Sequence, residues 1–212
     1  SAAQELGDFH NTRDNMRVAV VTTEQIYNEF GSGKQDISAI RDFVKMFYDR
    51  AGSDSTQLPK YLTLFGDGSF DPKDRMSDNN NKVPTYQSYN SNYPLSSYTS
   101  DDFFGCLDPS EGGDMNSRQG GDIAIGRLPV STLAEAEGVV SKIKKYKSAP
   151  SLGEWRNIIT TIGDEIGHGG TIFQQQADKL GEYIRLNNPN YNVEKIILDA
   201  YQVLSTPGGD RY

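Results

Sequence analysis

The sequence predicts an α/β fold: a mostly parallel sheet with flanking helices. Short apolar runs alternate with longer stretches whose apolar residues recur at helical spacing. A strand, a helix and a second strand in succession form a right-handed crossover, which pairs the two strands in parallel. The clearest apolar run, Tyr61–Phe65, stops at Gly66-Asp67-Gly68, a sharp turn of the kind that follows a strand in α/β proteins.

The elements before this run are predicted from their local patterns. Residues 4–11 have the character of the last turns of a helix, and residues 16–21 (Met-Arg-Val-Ala-Val-Val) predict a strand. Asp36 is a suitable N-cap for a helix whose apolar residues continue at helical spacing to Ala51, and Gly52 ends that helix. Residues 28–34 are predicted to form a loop.

A long irregular stretch, residues 71–101, follows the central strand. It contains four tyrosines, three prolines and three consecutive asparagines. Irregular stretches of this length are uncommon in compact domains, so this one is either functional or wrapped over the surface. Tyrosine is favoured in protein contacts, so this loop is the basis for one alternative function, a non-catalytic binding module.

The remainder of the chain repeats the strand and helix pattern. Thr132 and Glu135 form a capping-box sequence for a helix with a buried stripe at Leu133, Ala136, Val140, Ile143 and Tyr146. Residues 148–153 are a predicted linker. The predicted domains are residues 1–150 and 151–212. The remaining predicted elements are strands at 123–126, 155–162 and 193–198, and a helix at Ile172–Asn187, with Phe173, Ala177, Leu180 and Ile184 inward.

Composition excludes several classes of protein. The net charge of −8 and the pI near 4.8 argue against nucleic acid or an anionic membrane surface as the main partner. A single cysteine excludes an internal disulfide. No apolar run approaches the roughly 20 residues that span a membrane.

Three segments together resemble the gingipain-like cysteine peptidases. They are Leu-Phe-Gly-Asp-Gly-Ser-Phe-Asp ending at Asp71, the stretch 100–105, and the stretch 122–130. The resemblance covers nearly the whole chain in order. It implies a caspase-like α/β fold, with residues 1–150 as the first subdomain and 151–212 as the incomplete start of the catalytic subdomain.

The resemblance does not make Cys106 and His168 a catalytic pair. In the family the catalytic histidine precedes the cysteine and lies one strand later than His168. The catalytic cysteine and histidine are therefore expected beyond residue 212, and this chain by itself is expected to be inactive. Cys106, among aromatic residues, is predicted to be a packed structural thiol, and His168 a loop or helix-entry residue.

The acids at the end of the strand at 155–162 are the candidate catalytic residues. Glu165 matches the place where the family carries a glutamate that orients the catalytic histidine, and Asp164 is the second choice. Such a carboxylate holds an imidazole in one tautomer and stabilises its cation. The alternative is that these acids cap the following helix, whose N-terminus favours negative charge.

Calcium is a further possibility that the resemblance raises. Asp67, Asp71, Asp74, Asp101 and Asp102 are candidate oxygen ligands. Their spacing matches no calcium-loop motif, and we favour the simpler interpretation that they bond backbone amides in loops.

The family also implies a biological role. Its relatives include surface sortases of the type IX secretion system, which cleave C-terminal sorting domains from secreted cargo. Protein substrates, other secretion components as partners and a location at the cell surface or outer membrane follow from that resemblance. A nucleotide-binding domain is disfavoured, because Asp71 stands where a dinucleotide fingerprint after Gly66 and Gly68 needs its third glycine.

Overall fold

The computed structural model describes residues 1–89, 92–113, 115, 120–164, 171–202, 204–206 and 209–211, the last two ranges as backbone only. The chain divides into two compact units, Ser1–Lys145 and Tyr146–Tyr212. Each unit is described by itself. No described helix has both the length and the apolar character that a membrane crossing requires.

The described part of the first unit contains four α-helices around a parallel strand pair. The helices are α1 (Ala2–Asp14), α2 (Thr23–Phe30), α3 (Ile37–Ala51) and α4 (Leu133–Tyr146), and the strands are β1 (Tyr61–Phe65), β2 (Tyr86–Gln87), β3 (Thr99–Ser100) and β4 (Ala124–Leu128). β1 and β4 pair in parallel, and β2 and β3 form an antiparallel hairpin.

Helices cover both faces of the β1–β4 pair. On one face Leu64 packs with Ile40 of α3 and with Phe104, which is fully buried. On the other face Leu6 of α1 and Val140 of α4 pack together, with Phe65 and Leu128 partly buried against them. The first unit is therefore an α/β/α sandwich, as the sequence predicts.

The predicted caps position two of these helices. The Asp36 carboxylate accepts a 2.8 Å hydrogen bond from the amide of Ser38 at the start of α3. Gly52 ends α3 with φ of 52°, a conformation that glycine adopts without strain. Thr132 and Glu135 exchange the two 3.2 Å hydrogen bonds of a capping box. These predictions are confirmed, although Leu133 and Tyr146 of the predicted buried stripe are exposed.

The predicted strand at residues 16–21 is wrong. This stretch forms neither helix nor strand, and its valines are about 40% exposed. Val18 and Val20 instead lie against Gly7 of α1, and the Arg17 guanidinium donates to the carbonyl of Thr56 and the side chain of Gln57. A β-type sequence becomes a strand only when a neighbouring strand pairs with its main chain, and no described strand pairs with this stretch.

Two further predictions differ in detail. The loop predicted at 28–34 begins later, because α2 continues to Phe30, and the capping box that Thr22 and Gln25 form at its start was not foreseen. β1 is less buried than a central strand: Leu64 is 3% exposed, whereas Tyr61 is 63% exposed.

The second unit places one helix against a parallel strand pair. The elements are β5 (Ile158–Gly163), α5 (Ile172–Asn187) and β6 (Asn192–Ile197), followed by the short antiparallel strands β7 (Leu204–Thr206) and β8 (Gly209–Arg211). β5 and β6 pair in parallel from Ile158 opposite Asn192 to Gly163 opposite Ile197. The helix has the predicted bounds, but Trp155 lies in a 3₁₀ turn before the strand rather than in it.

Candidate functional site

The carboxyl ends of β5 and β6 lie at one edge of their sheet because the strands are parallel and in register. β5 ends at Gly163, where a Cβ would come within 2.9 Å of the Gln174 Cα of α5. Glycine therefore allows α5 to pass close to the strand end. Asp164, the next residue, is exposed and lies directly at this edge.

Of the two candidate acids, the structure describes only Asp164. Asp164 is placed at the sheet edge, as expected for a residue that follows a strand. Glu165, the first choice, and His168 lie outside the described residues. The residue at the N-cap position of α5 is Thr171, whose side chain makes no capping hydrogen bond.

The sequence reasoning missed a second acid at this edge. Asp199 lies just beyond β6, in the 3₁₀ turn Leu198–Ala200, and accepts a 2.6 Å hydrogen bond from the Gln174 side chain of α5. The signal was available, because Asp199 follows a predicted strand as Asp164 does. Carboxylates thus follow both parallel strands, where an imidazole or a cationic substrate group approaching the edge would be stabilised.

At the carboxyl edge of β1 and β4 in the first unit, Asp67 bonds the residues that follow both strands. Its main-chain amide donates to the Val130 carbonyl, and its carbonyl accepts from the amides of Lys82 and Val83. Its carboxylate accepts a 3.0 Å bond from the Gly68 amide and a 3.4 Å bond from the Ser131 hydroxyl. Asp67 therefore joins the loops that follow β1 and β4.

Asp71 is a buried loop acid. Its carboxylate accepts from the amides of Lys73 at 3.3 Å, Arg75 at 2.5 Å and Met76 at 2.8 Å. These amide bonds, with that of Met76 the largest contribution, hold the pKa of the Asp71 carboxyl below its usual range. The side chain closes the loop after β1, as the simpler interpretation of this acid expects.

Asp101 pairs with Arg127 of β4. Both carboxylate oxygens accept from the guanidinium at 2.7 Å, and the Thr85 hydroxyl donates to one of them at 3.0 Å. The same guanidinium donates to the carbonyls of Gly66, Val83 and Pro84. Arg127 thus ties β4 to the turn after β1 and to both ends of the β2–β3 hairpin.

These contacts bear on the five acids considered for calcium. Asp67, Asp71 and Asp101 already bond the groups described above, and Asp74 is an exposed loop residue with φ of 51°. A different trio, Asp108, Glu111 and Asp122, brings one oxygen each within 4.8 Å. Three ligands are fewer than the six to eight that calcium takes, so we derive no chemistry through this ion.

Cys106 is a packed thiol, consistent with its prediction as structural. It is 1% exposed, and its Sγ lies 3.4 Å from the carbonyl oxygen of Asp102, to which the thiol donates. Burial, with a smaller effect from the carboxylate of Glu111, raises the pKa of the Cys106 thiol. Both effects oppose formation of the nucleophilic thiolate.

His10, in the first unit with Cys106, bonds a different partner. Its Nδ1 lies 2.7 Å from the Asp14 carboxylate, one turn along α1. Because Cys106 bonds the carbonyl of Asp102 instead, these two residues do not form the thiol–imidazole pair of a cysteine peptidase.

Comparisons with known proteins agree on one family. The model of Peptidase family C25 matches residues 1–212. The crystal structure of dimeric latent PorU from Porphyromonas gingivalis is similar, with a TM-score of 0.62 and 28% identity over 82% of this chain and 19% of PorU.

The crystal structure of the Arg-specific cysteine proteinase gingipain R is also similar. It has a TM-score of 0.56 and 15% identity over 93% of this chain and 38% of gingipain R, a likeness in fold alone. The chain thus spans about a fifth of PorU and two fifths of gingipain R. Among curated protein sequences none matches it.

Proposed function

Because the chain belongs to peptidase family C25, the gingipain family of cysteine peptidases, we propose that it forms the amino-terminal part of a PorU-like catalytic domain. The carboxyl edge of β5 and β6 supplies an acid that orients the catalytic histidine. The thiolate and the histidine come from residues outside this chain. The family match over residues 1–212 is the observation that carries the proposal.

The geometry of the second unit supports the role given to the acid. Asp164 follows β5 directly at the edge where parallel strands end together. A further parallel strand carrying a histidine would present its imidazole at the same edge. A carboxylate there would fix the tautomer of the ring and stabilise its cation while the thiol loses its proton. Glu165 remains the first choice by resemblance and Asp164 the second.

The substrate follows from the likeness to PorU. We propose that the parent enzyme cleaves the C-terminal sorting domain of secreted cargo as a type IX secretion sortase at the cell surface. A thioester acyl-enzyme can pass its acyl group to an amine or to water. The same intermediate therefore serves a transfer reaction and plain hydrolysis, and product analysis separates a sortase from an endopeptidase.

One experiment tests whether the catalytic thiol and histidine lie outside the 212-residue chain. The 212-residue chain is expected to have no peptidase activity on a fluorescent casein, because its only thiol is buried with a raised pKa. The control is the parent protein extended to the family's histidine and cysteine, which is expected to cleave. Cleavage by the 212-residue chain that disappears with Cys106→Ala would contradict the proposal.

A second experiment identifies the positioning acid in the extended enzyme. Glu165→Gln is expected to lower turnover by about ten- to a hundredfold, since a misoriented base activates the thiol poorly. Asp164→Asn and Asp199→Asn are the matched controls at the same sheet edge. A loss confined to Asp164→Asn would move the role to that residue. Full activity in both Glu165→Gln and Asp164→Asn would remove the role altogether.

A second candidate function is a non-catalytic binding module. The β2–β3 hairpin supports it, because Tyr89 is 96% exposed and Leu95 87% exposed at its tip. Exposed tyrosines surrounded by serine and asparagine resemble the composition of binding loops that contact proteins. Lack of activity in the extended protein, together with an intact hairpin, would favour this function.

A further inference from the structure

A cleft in the first unit runs beside the β2–β3 hairpin. Its volume is about 560 Å³, within the range of about 300–1,000 Å³ that is usual for ligand sites. Strand β3 forms one wall, and the 3₁₀ turn Asp102–Gly105 and the start of β4 form the rest. The described lining residues include Thr99, Asp102, Gly105, Cys106 and Ile125.

The wall at β3 is an open strand edge. In the hairpin the Ser88 amide donates to the Tyr98 carbonyl, and Gln87 lies opposite Thr99. Hydrogen-bonded and non-hydrogen-bonded pairs alternate along an antiparallel ladder, so Gln87 and Thr99 form a non-hydrogen-bonded pair. The N–H and C=O of Thr99 therefore point away from β2, and none of the described residues bonds them there.

The cleft is held in shape before any ligand arrives. Its floor is apolar, formed by buried Cys106 and by Ile125. The Asp122 amide donates to the Gly105 carbonyl at 2.8 Å, which fixes the 3₁₀ turn against the start of β4. The bidentate pair of Arg127 with Asp101 fixes the base of the hairpin. A preformed wall and floor reduce the ordering cost of binding.

The charge of the cleft selects the sign of its ligand. Among the described lining residues Asp102 is the single charged one, and it is exposed. The hairpin between Val83 and Ser100 contains no charged residue, and the whole chain carries −8. A carboxylate that is the single charged group among the described lining residues favours a cationic side chain, whereas an acidic side chain is repelled.

We infer that this cleft binds an extended, basic peptide segment that adds a strand to the outer edge of β3 at Thr99 and places a lysine or arginine side chain beside Asp102. Main-chain bonds to an open edge supply affinity in such complexes, and side-chain contacts supply specificity. The inference goes beyond the proposed peptidase function and does not depend on it, because binding needs neither the thiolate nor the histidine.

The test uses the 212-residue chain and two acetylated, amidated pentapeptides. One is Thr-Val-Lys-Val-Thr, and the other has glutamine in place of lysine. Titration followed by amide NMR is expected to give saturable binding of both, with the lysine peptide the tighter. Exchange of the Thr99 amide with solvent is expected to slow when either peptide binds, because that amide gains an acceptor.

Variants separate the charge from the strand addition. Asp102→Asn is expected to weaken the lysine peptide by about two- to fivefold, as for an exposed ion pair. It leaves the glutamine peptide unchanged, and this also shows that the variant is folded. Asp8→Asn, an equal charge change on α1, is expected to alter neither affinity. A lysine peptide N-methylated at its three central residues is expected to lose most of its affinity.

Three results would overturn the inference. They are absence of binding by both unmethylated peptides, equal affinity of the chain and its Asp102→Asn variant for the lysine peptide, and unchanged exchange at Thr99 in the bound state. Each of these leaves the peptidase proposal untouched, because that proposal is tested by turnover of the extended enzyme.

Discussion

Each unit of the chain contains one parallel strand pair packed against helices, but the two pairs differ in how fully they are buried. In the first unit α2 and α3 cover one face of the strand pair, and α1 and α4 cover the other. In the second unit α5 covers one face. Of the buried apolar residues in the described chain, Ala177 alone belongs to the second unit.

The difference is visible along β5. Thr161 and Gly163 face α5 and are buried, whereas the alternate residues Ile158 and Ile162 are 38% and 67% exposed. On α5 itself Phe173 and Leu180, both predicted to point inward, are more than half exposed. Parallel strands are normally covered on both faces. The buried apolar contacts that stabilise this chain are therefore concentrated in the first unit.

The largest expected effect is on the free energy of unfolding when one phenylalanine in each unit is replaced by alanine. Phe104→Ala, in the fully buried core of the first unit, is expected to lower the free energy of unfolding by about 3–5 kcal/mol, because it leaves a cavity. Phe173→Ala, at an exposed position, is expected to change it by no more than about 0.5 kcal/mol. Urea unfolding followed by circular dichroism measures both. Equal losses would show that the second unit is as well packed as the first.

The next effect concerns the ion pairs of the two units. Arg127→Gln is expected to cost about 3 kcal/mol, because it leaves Asp101 and three carbonyls of the first unit without their donor. Arg185→Gln, which removes an exposed pair with Glu182 on α5, is expected to leave the unfolding midpoint nearly unchanged. A similar cost for both variants would contradict the contrast.

A smaller effect, of opposite sign, is expected inside the second unit. The Thr161 hydroxyl is buried against α5 and has no hydrogen-bond partner among the described residues. Thr161→Val replaces it with a methyl group and is expected to stabilise the chain by about 1 kcal/mol, since a buried unpaired hydroxyl is costly. Thr160→Val, on the exposed side of β5, is the control. Destabilisation by Thr161→Val would mean that the hydroxyl has a partner in solution.

The smallest expected effect distinguishes the two units by pH and salt. Hydrogen bonds from Arg185 and then Lys195 lower the pKa of Glu182 from 4.5 to about 2. A depressed folded-state pKa gives stability that is present at neutral pH and is lost as the pH falls from about 4.5 towards 2. Backbone amides, rather than cations, chiefly lower the pKa of Asp71 in the first unit.

Because cations lower the pKa of Glu182 and backbone amides lower that of Asp71, added salt should separate the two contributions. Unfolding midpoints of the chain, Glu182→Gln and Asp71→Asn are compared between pH 5 and 2, with and without added salt. Salt is expected to weaken the acid-sensitive part that Glu182 contributes and to leave that of Asp71 nearly intact, because screening acts on exposed charge pairs. Equal salt sensitivity would indicate that nearby charges govern both acids.

Local signals in the sequence predicted much of the fold. Asp36, Gly52 and the Thr132–Glu135 capping box fix helix ends through bonds between near neighbours, and α5 has the predicted bounds. The strands β1 and β6 were predicted to within one residue at either end. The apolar run before Asp164 forms β5, and this places the candidate acid directly after the end of that strand.

The tertiary structure decided what depends on residues distant in the chain. Residues 16–21 have the composition of a strand, but no described strand pairs with them, and Val18 and Val20 lie against α1 instead. Arg127, in a β-strand sequence, bonds groups up to 61 positions away, and Asp199 joins the candidate site through Gln174 of α5. The spacing of apolar residues shows which side of an element their side chains point to. Burial of that side requires a second helix or sheet packed against it, and the sequence of one element does not contain that information.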